Sequence, residues 1–129
     1  MERRIAITAG SRHFRARLYD TPTGRAIADV LPVKGRANRW GGEIYFPISI
    51  EADLESDARE VLEAGEIAFW PPGNMFCLFF GPTPASQGDD IRAASPVNVI
   101  GRIEGPLDEI WNVTDGEEVS VRASSEGEI

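Results

Sequence analysis

The residues with types able to do chemistry gather in two stretches. In Arg39-Trp40-Gly41-Gly42-Glu43 a guanidinium, an indole and a carboxyl surround a pair of glycines. An arginine in that setting presents a planar fork to a carboxylate or carbonyl, the tryptophan stacks beside it, and the glycines let the backbone come close. Tyr45, which faces opposite to Ile44 and Phe46 in an extended chain, either joins such a cleft or covers a sheet edge. The plainer reading of Arg39 and Glu43 is an ion pair across a turn at the surface, which contributes little. The second stretch, Phe79-Phe80-Gly81-Pro82-Thr83-Pro84, ends an apolar run and opens a long loop, the handover at which binding residues collect. Phe80 offers aromatic area to a proline or planar ligand and Thr83 a directional hydroxyl, although core packing and turn chemistry account for the same residues. The expected ligand-binding set is Arg39, Trp40, Glu43, Tyr45, Phe80 and Thr83.

Other reactive types are isolated. His13 is the sole histidine, beside a predicted hairpin turn and without a Cys or His at ligand spacing. Cys77 sits inside an apolar strand, where desolvation raises a thiol's pKa and keeps it inert. Asp89 and Asp90 are adjacent carboxylates in a loop, which point apart more readily than together. No Ser-His-Asp spacing, phosphate-cradling loop or zinc pattern occurs, so the pattern calls for no metal and no cofactor.

The elements that must position these residues read as β structure. Arg4 to Thr8 and Phe14 to Leu18 flank the turn Ala9-Gly10-Ser11, with Phe14, Ala16 and Leu18 alternating against Arg15 and Arg17. Thr21-Pro22 reads as a helix cap followed by proline at the first helical position, with a short helix to about Val30 that Gly24 weakens. Glu43 to Ile50 is a strand. Residues 51–64 carry helical spacing at Leu54, Ala58, Val61 and Leu62, which favours a helix, yet Arg59 to Leu62 also suits a strand. Glu66 to Trp70 and Met75 to Phe80 flank Pro71-Pro72-Gly73-Asn74 as a hairpin. The second of these strands is apolar on both faces, so it must be central, with the barrel interior on one side and a helix or loop on the other. Residues 81–95 read as a long loop, Val97 to Ile103 as a strand, Leu107 to Trp111 as one helical turn, Glu118 to Arg122 as the closing strand, and the chain from Ser124 as a polar tail.

A length of 129 residues suits a single domain, 1–129. The lone cysteine permits no internal disulfide, and neither a leader-like apolar core nor a run of roughly 18 apolar residues is present, which sets the expectation of a soluble, cytoplasmic protein. A net charge of −8 opposes binding to nucleic acid or an anionic membrane. The charge is uneven: residues 1–42 hold nine basic and three acidic residues, whereas 43–129 hold four and eighteen. Pairing of exposed strand faces explains this, and a basic patch for a small anion or acidic peptide is the sharper alternative.

Five segments, Thr21-Pro22-Thr23, Arg39 to Phe46, Gly65 to Gly73, Phe79 to Pro84 and Val97 to Arg102, resemble a family of small bacterial and archaeal cyclophilin-like domains, in the expected order along nearly the whole chain. The resemblance implies a mainly β fold, a closed or nearly closed cyclophilin-like β-barrel with one or two short helices and a surface cleft. Cleft binding of a peptide or small molecule is the leading expectation, without catalysis or with weak catalysis. The alternatives are a peptidyl-prolyl isomerase, whose glutamine- and glycine-rich signature this chain lacks, and a structural module that forms homo-oligomers.

Overall fold

The computed structural model describes residues 2–124. In chain order the elements are β1 (Arg3–Ala9), β2 (Arg12–Leu18), α1 (Pro22–Val30), β3 (Val33–Arg36), β4 (Asn38–Trp40), β5 (Glu43–Pro47), β6 (Arg59–Leu62), β7 (Glu66–Trp70), β8 (Met75–Phe79), β9 (Ile91–Glu104) and β10 (Glu118–Ala123). Short 3₁₀ turns occupy Pro71–Gly73 and Asp108–Asn112.

The strands run in the order β3-β10-β1-β2-β9-β7-β8-β5-β4, with β6 attached to β9, and these pairings are antiparallel. The two edges of this path, β3 and β4, are separated in sequence by Ala37 alone. The sheet has therefore curled until one bent stretch of chain carries both of its margins. Among the described residues no ladder joins β3 to β4, so hydrogen bonds do not close the curled sheet. Gly35 of β3 lies so near the Phe46 ring that an added Cβ would stand 2.8 Å from it.

Alternation along β1 and β2 turns Ile5, Ile7, Ala9, Phe14, Ala16 and Leu18 into the barrel. On β8, Phe76 and Leu78 join that interior, while Cys77 and Phe79 face outward into a second apolar cluster. The strand is thus covered on both sides, as its composition requires. The outer cover is neither helix nor loop: Leu62 of β6 and Ala93 and Val97 from the first half of β9 pack over Ala68, Cys77 and Phe79. Fully burying a side chain of the Phe or Leu kind stabilises the fold by about 1.5–3 kcal/mol, enough to hold this second layer down.

The structure corrects several expectations. Residues 51–58 form no helix, and 59–62 are strand β6. The supposed apolar stripe does not act as one face, since Leu54 and Val61 are exposed while Leu62 alone joins the second apolar cluster. What orders the segment instead is Asn98, fully buried, which accepts from the Glu55 N–H (2.8 Å) and donates to the Asp53 carbonyl (2.9 Å) and to Thr23 Oγ1 (3.1 Å). The Glu55 carboxylate in turn accepts from the Thr23 N–H at the start of α1. The loop after β8 ends sooner than expected, because β9 begins at Ile91. Strands β3 and β4 lie in a stretch without a strand-like pattern, being only four and three residues long.

Thr21 caps α1 by accepting from the Gly24 N–H at 3.0 Å. Gly24 is dictated by space, since a Cβ there would stand 2.3 Å from the Tyr19 carbonyl oxygen. In the β7–β8 turn Asn74, with φ 54°, takes the left-handed conformation. The Ser124 N–H bonds the Arg4 carbonyl; the remainder of the predicted tail, 125–129, lies outside the described residues. Arg12 pairs with Glu109 and Glu117, and Arg17 with Glu104, so cations of the basic third meet anions of the acidic remainder across neighbouring elements.

Candidate ligand pocket

The site is built by the β4–β5 hairpin and the strands beside it. Gly41 and Gly42 form a two-residue turn between the paired Trp40 and Glu43, with Gly41 at φ 61°. Gly42 is required by contact: its N–H donates to the Pro82 carbonyl, its own carbonyl accepts from Phe80 and Gly81, and a Cβ would lie 2.2 Å from the Gly81 carbonyl carbon. The two chemistry-bearing stretches of the sequence therefore touch through their backbones.

Register then assigns side chains to faces. Trp40 stands opposite Glu43, Glu43 opposite Phe79, Tyr45 opposite Cys77, Cys77 opposite Ala68, and Trp70 opposite Met75. Directly paired residues share a face, so these all lie on the outer side of the curled sheet. Ala93 and Ala94 of β9 supply the facing wall, and the space between is a pocket of about 220 Å³ lined by Trp40, Glu43, Tyr45, Trp70, Met75 and Cys77. The Trp70 indole is pinned by its N–H, which donates to Ser95 Oγ at 2.7 Å.

Glu43 is the unusual member. It is only 6 % exposed, and no ion pair to it is present among the described residues. Burial pushes its carboxyl up to about 7, offset only in part by the neighbouring Cys77 thiol. Cys77 is raised well above the ordinary thiol range by its own burial and then by the Glu43 charge, so the thiol stays protonated and donates to the Met75 carbonyl at 3.6 Å. Glu66 shows what a structural buried acid looks like in the same sheet. Burial works to raise it too, but Arg59 grips it with two N–H bonds (2.9 and 2.6 Å) and the Glu63 N–H adds a third (2.6 Å), so its carboxyl is held below the usual value.

Of the residues expected from sequence to bind ligand, Trp40, Glu43 and Tyr45 line this pocket, whereas Arg39, Phe80 and Thr83 lie outside it. Arg39 donates to the carbonyls of Gly41 (2.6 Å), Trp111 (3.1 Å) and Val113 (2.8 Å). Its guanidinium lies over the rings of Phe80 and Trp111, which meet edge to face with centroids 4.9 Å apart. No ion pair between Arg39 and Glu43 forms among the described residues. Phe80 is buried in the barrel interior. The Thr83 hydroxyl donates to the Arg92 carbonyl and accepts from the Ala85 N–H, holding the loop after β8 against β9. Asp90 is paired with Arg92, and no group of three potential metal ligands occurs among the described residues. Sequence reasoning passed over Trp70, Met75, Ala93 and Ala94. The first two were within reach, because alternation through the β7–β8 hairpin places them with Cys77; the alanines carried no signal.

A curled antiparallel sheet of this order, bearing a pocket on its outer face, defines a small barrel domain of the cyclophilin-like class. The chain belongs to that family, whose model, described as cyclophilin-like, matches residues 3–122. It is similar to the hypothetical protein AF2241 from Archaeoglobus fulgidus, whose solution structure superposes with a TM-score of 0.81 at 45 % sequence identity over 95 % of each chain. No curated protein matches the chain. No helix among the described residues is long and apolar enough to cross a membrane.

Proposed function

We propose that this domain is a binding module for a small molecule, with the pocket between β5, β8, β7 and the first half of β9 as its site. The observation that carries the reading is Glu43: a buried carboxyl without a cationic partner, set among three aromatic rings in an open pocket. A carboxyl held this way is costly to the fold, and such costs concentrate at sites that bind or react. The volume of about 220 Å³ lies below the range of about 300–1,000 Å³ typical of drug-sized ligands, which favours a compact ligand over a peptide segment. Arg39, by contrast, has its Nε and Nη1 donors engaged by backbone carbonyls.

A fragment screen read by amide and indole NMR tests the assignment. Bound fragments are expected to shift the Trp40 and Trp70 indoles and the Ala93 and Ala94 amides while leaving Trp111 unmoved. Shifts that converge instead on Arg39, Trp111 and the Phe80 loop would reject this pocket as the site.

A further inference from the structure

We infer that the ligand is a small organic cation, an ammonium or amidinium on a compact apolar body, held with its charge against Glu43 and its body between Trp40, Tyr45 and Trp70. This rests on the pocket being the binding site and adds the chemistry of what enters it.

The lining supplies the argument. Three aromatic rings and the Met75 thioether make a polarisable wall, and the negative faces of indole and phenol attract cations more strongly as water is excluded. The acceptor at this wall is a carboxyl that is only 6 % exposed. An anionic ligand would meet it with like charge, and the described lining offers no arginine or lysine to offset that repulsion. A cation instead gives the buried carboxylate the partner that Arg59 gives Glu66.

The charged and titratable neighbours agree with this assignment. From β5 Tyr45 faces the pocket, and from β8 the Cys77 thiol lines it while donating to the Met75 carbonyl at 3.6 Å. From β9 the nearest cation in sequence is Arg92, which is paired with Asp90 (2.8 Å) and Glu60 (3.5 Å). From β4 the neighbour is Arg39, which is bound to carbonyls and packed over Phe80 and Trp111. A net charge of −8 further draws cations to the molecule.

The test compares benzylamine with benzyl alcohol, its neutral counterpart, and benzoate, its anionic one, by NMR titration at pH 8; Nα-acetyllysine amide is added as a peptide-borne ammonium. Benzylamine or the lysine derivative is expected to bind about tenfold or more tightly than benzyl alcohol, with benzoate weakest. The tighter of the two ammonium probes assigns a free or a peptide-borne source. Glu43→Gln is expected to weaken benzylamine far more than benzyl alcohol and so remove the cation's advantage, with folding confirmed by the retained amide spectrum. Trp40→Leu, which leaves the carboxyl in place, is expected to weaken the cation more than the alcohol. If benzyl alcohol shifts the Trp40 and Trp70 indoles as readily as benzylamine, or Glu43→Gln leaves the preference intact, the cation assignment is overturned while the pocket stands. If no probe moves either indole, the pocket itself is rejected.

Discussion

Arg39 and Glu43 sit four residues apart on one hairpin, and their surroundings are opposite. Arg39 shares the face of its partner Ile44 and turns toward the barrel end, where three carbonyls and two rings receive it. Glu43 shares the face of Trp40 and turns to the outer side, where aromatic rings and a thiol surround it and no cation among the described residues pairs with it. Every donor bond of Arg39 closes the fold upon itself. The Glu43 carboxyl does the reverse, since folding strips its water and gives little back. The lesson is that a charged group held by several internal partners marks architecture, whereas one left incomplete in a pocket marks a place for something else.

The strongest way to break that contrast is Arg39→Ala. It leaves three carbonyls without their donor and uncovers Phe80, so a loss of about 4 kcal/mol in urea unfolding is expected with the pocket's ligand affinity little changed. Loss of ligand binding in a variant that remains folded would move Arg39 into the site.

Glu43→Gln should act in the opposite direction. Because folding raises this carboxyl from 4.5 to about 7, the native state holds more protons than the unfolded chain between those values. Stability therefore falls as pH rises through that window, by about 3 kcal/mol at most, and the stabilising contribution is intact only below about 4.5. The glutamine variant should lack this slope and exceed the parent in stability at pH 8. Denaturation midpoints across pH 4 to 8 measure it, and parallel curves for the two proteins would mean that Glu43 is not desolvated as described.

Thr83→Val keeps the shape and removes the hydroxyl that donates to the Arg92 carbonyl. A loss of about 1–2 kcal/mol is expected, without change in ligand affinity. The smallest stability effect belongs to Trp40→Leu, less than about 1 kcal/mol, because this indole is only half-buried. Its effect should appear in ligand binding instead, and a large loss of stability would place Trp40 with the architecture.

Much of the barrel was legible. The β1–β2 and β7–β8 hairpins follow from alternation and turn residues, and the capped helix from Thr21-Pro22. The second strand of the β7–β8 hairpin, apolar on both faces, required a second layer, although its composition left the kind of cover open. Residues 51–64 misled because a stripe with period 3.6 forms a helix only where a surface exists to bury it, and Leu54 and Val61 have none. The candidate site was legible by half. Trp40, Glu43 and Tyr45 stood out as polar and aromatic types beside glycines, but Arg39, Phe80 and Thr83 stood out in the same way.

Local patterning by itself determined the β1–β2 and β7–β8 hairpins, which face of each of their strands is apolar, and that the Met75 strand is covered twice. These follow from side-chain period and backbone preference, which act over a few residues. Tertiary structure alone decided that Gly42 locks onto Gly81, that Ala93 and Ala94 form the far wall, and that Arg39 finds carbonyls while Glu43 finds no cation. Whether a charge is satisfied depends on groups brought near by the curl of the whole sheet, and a linear pattern carries no record of those distances.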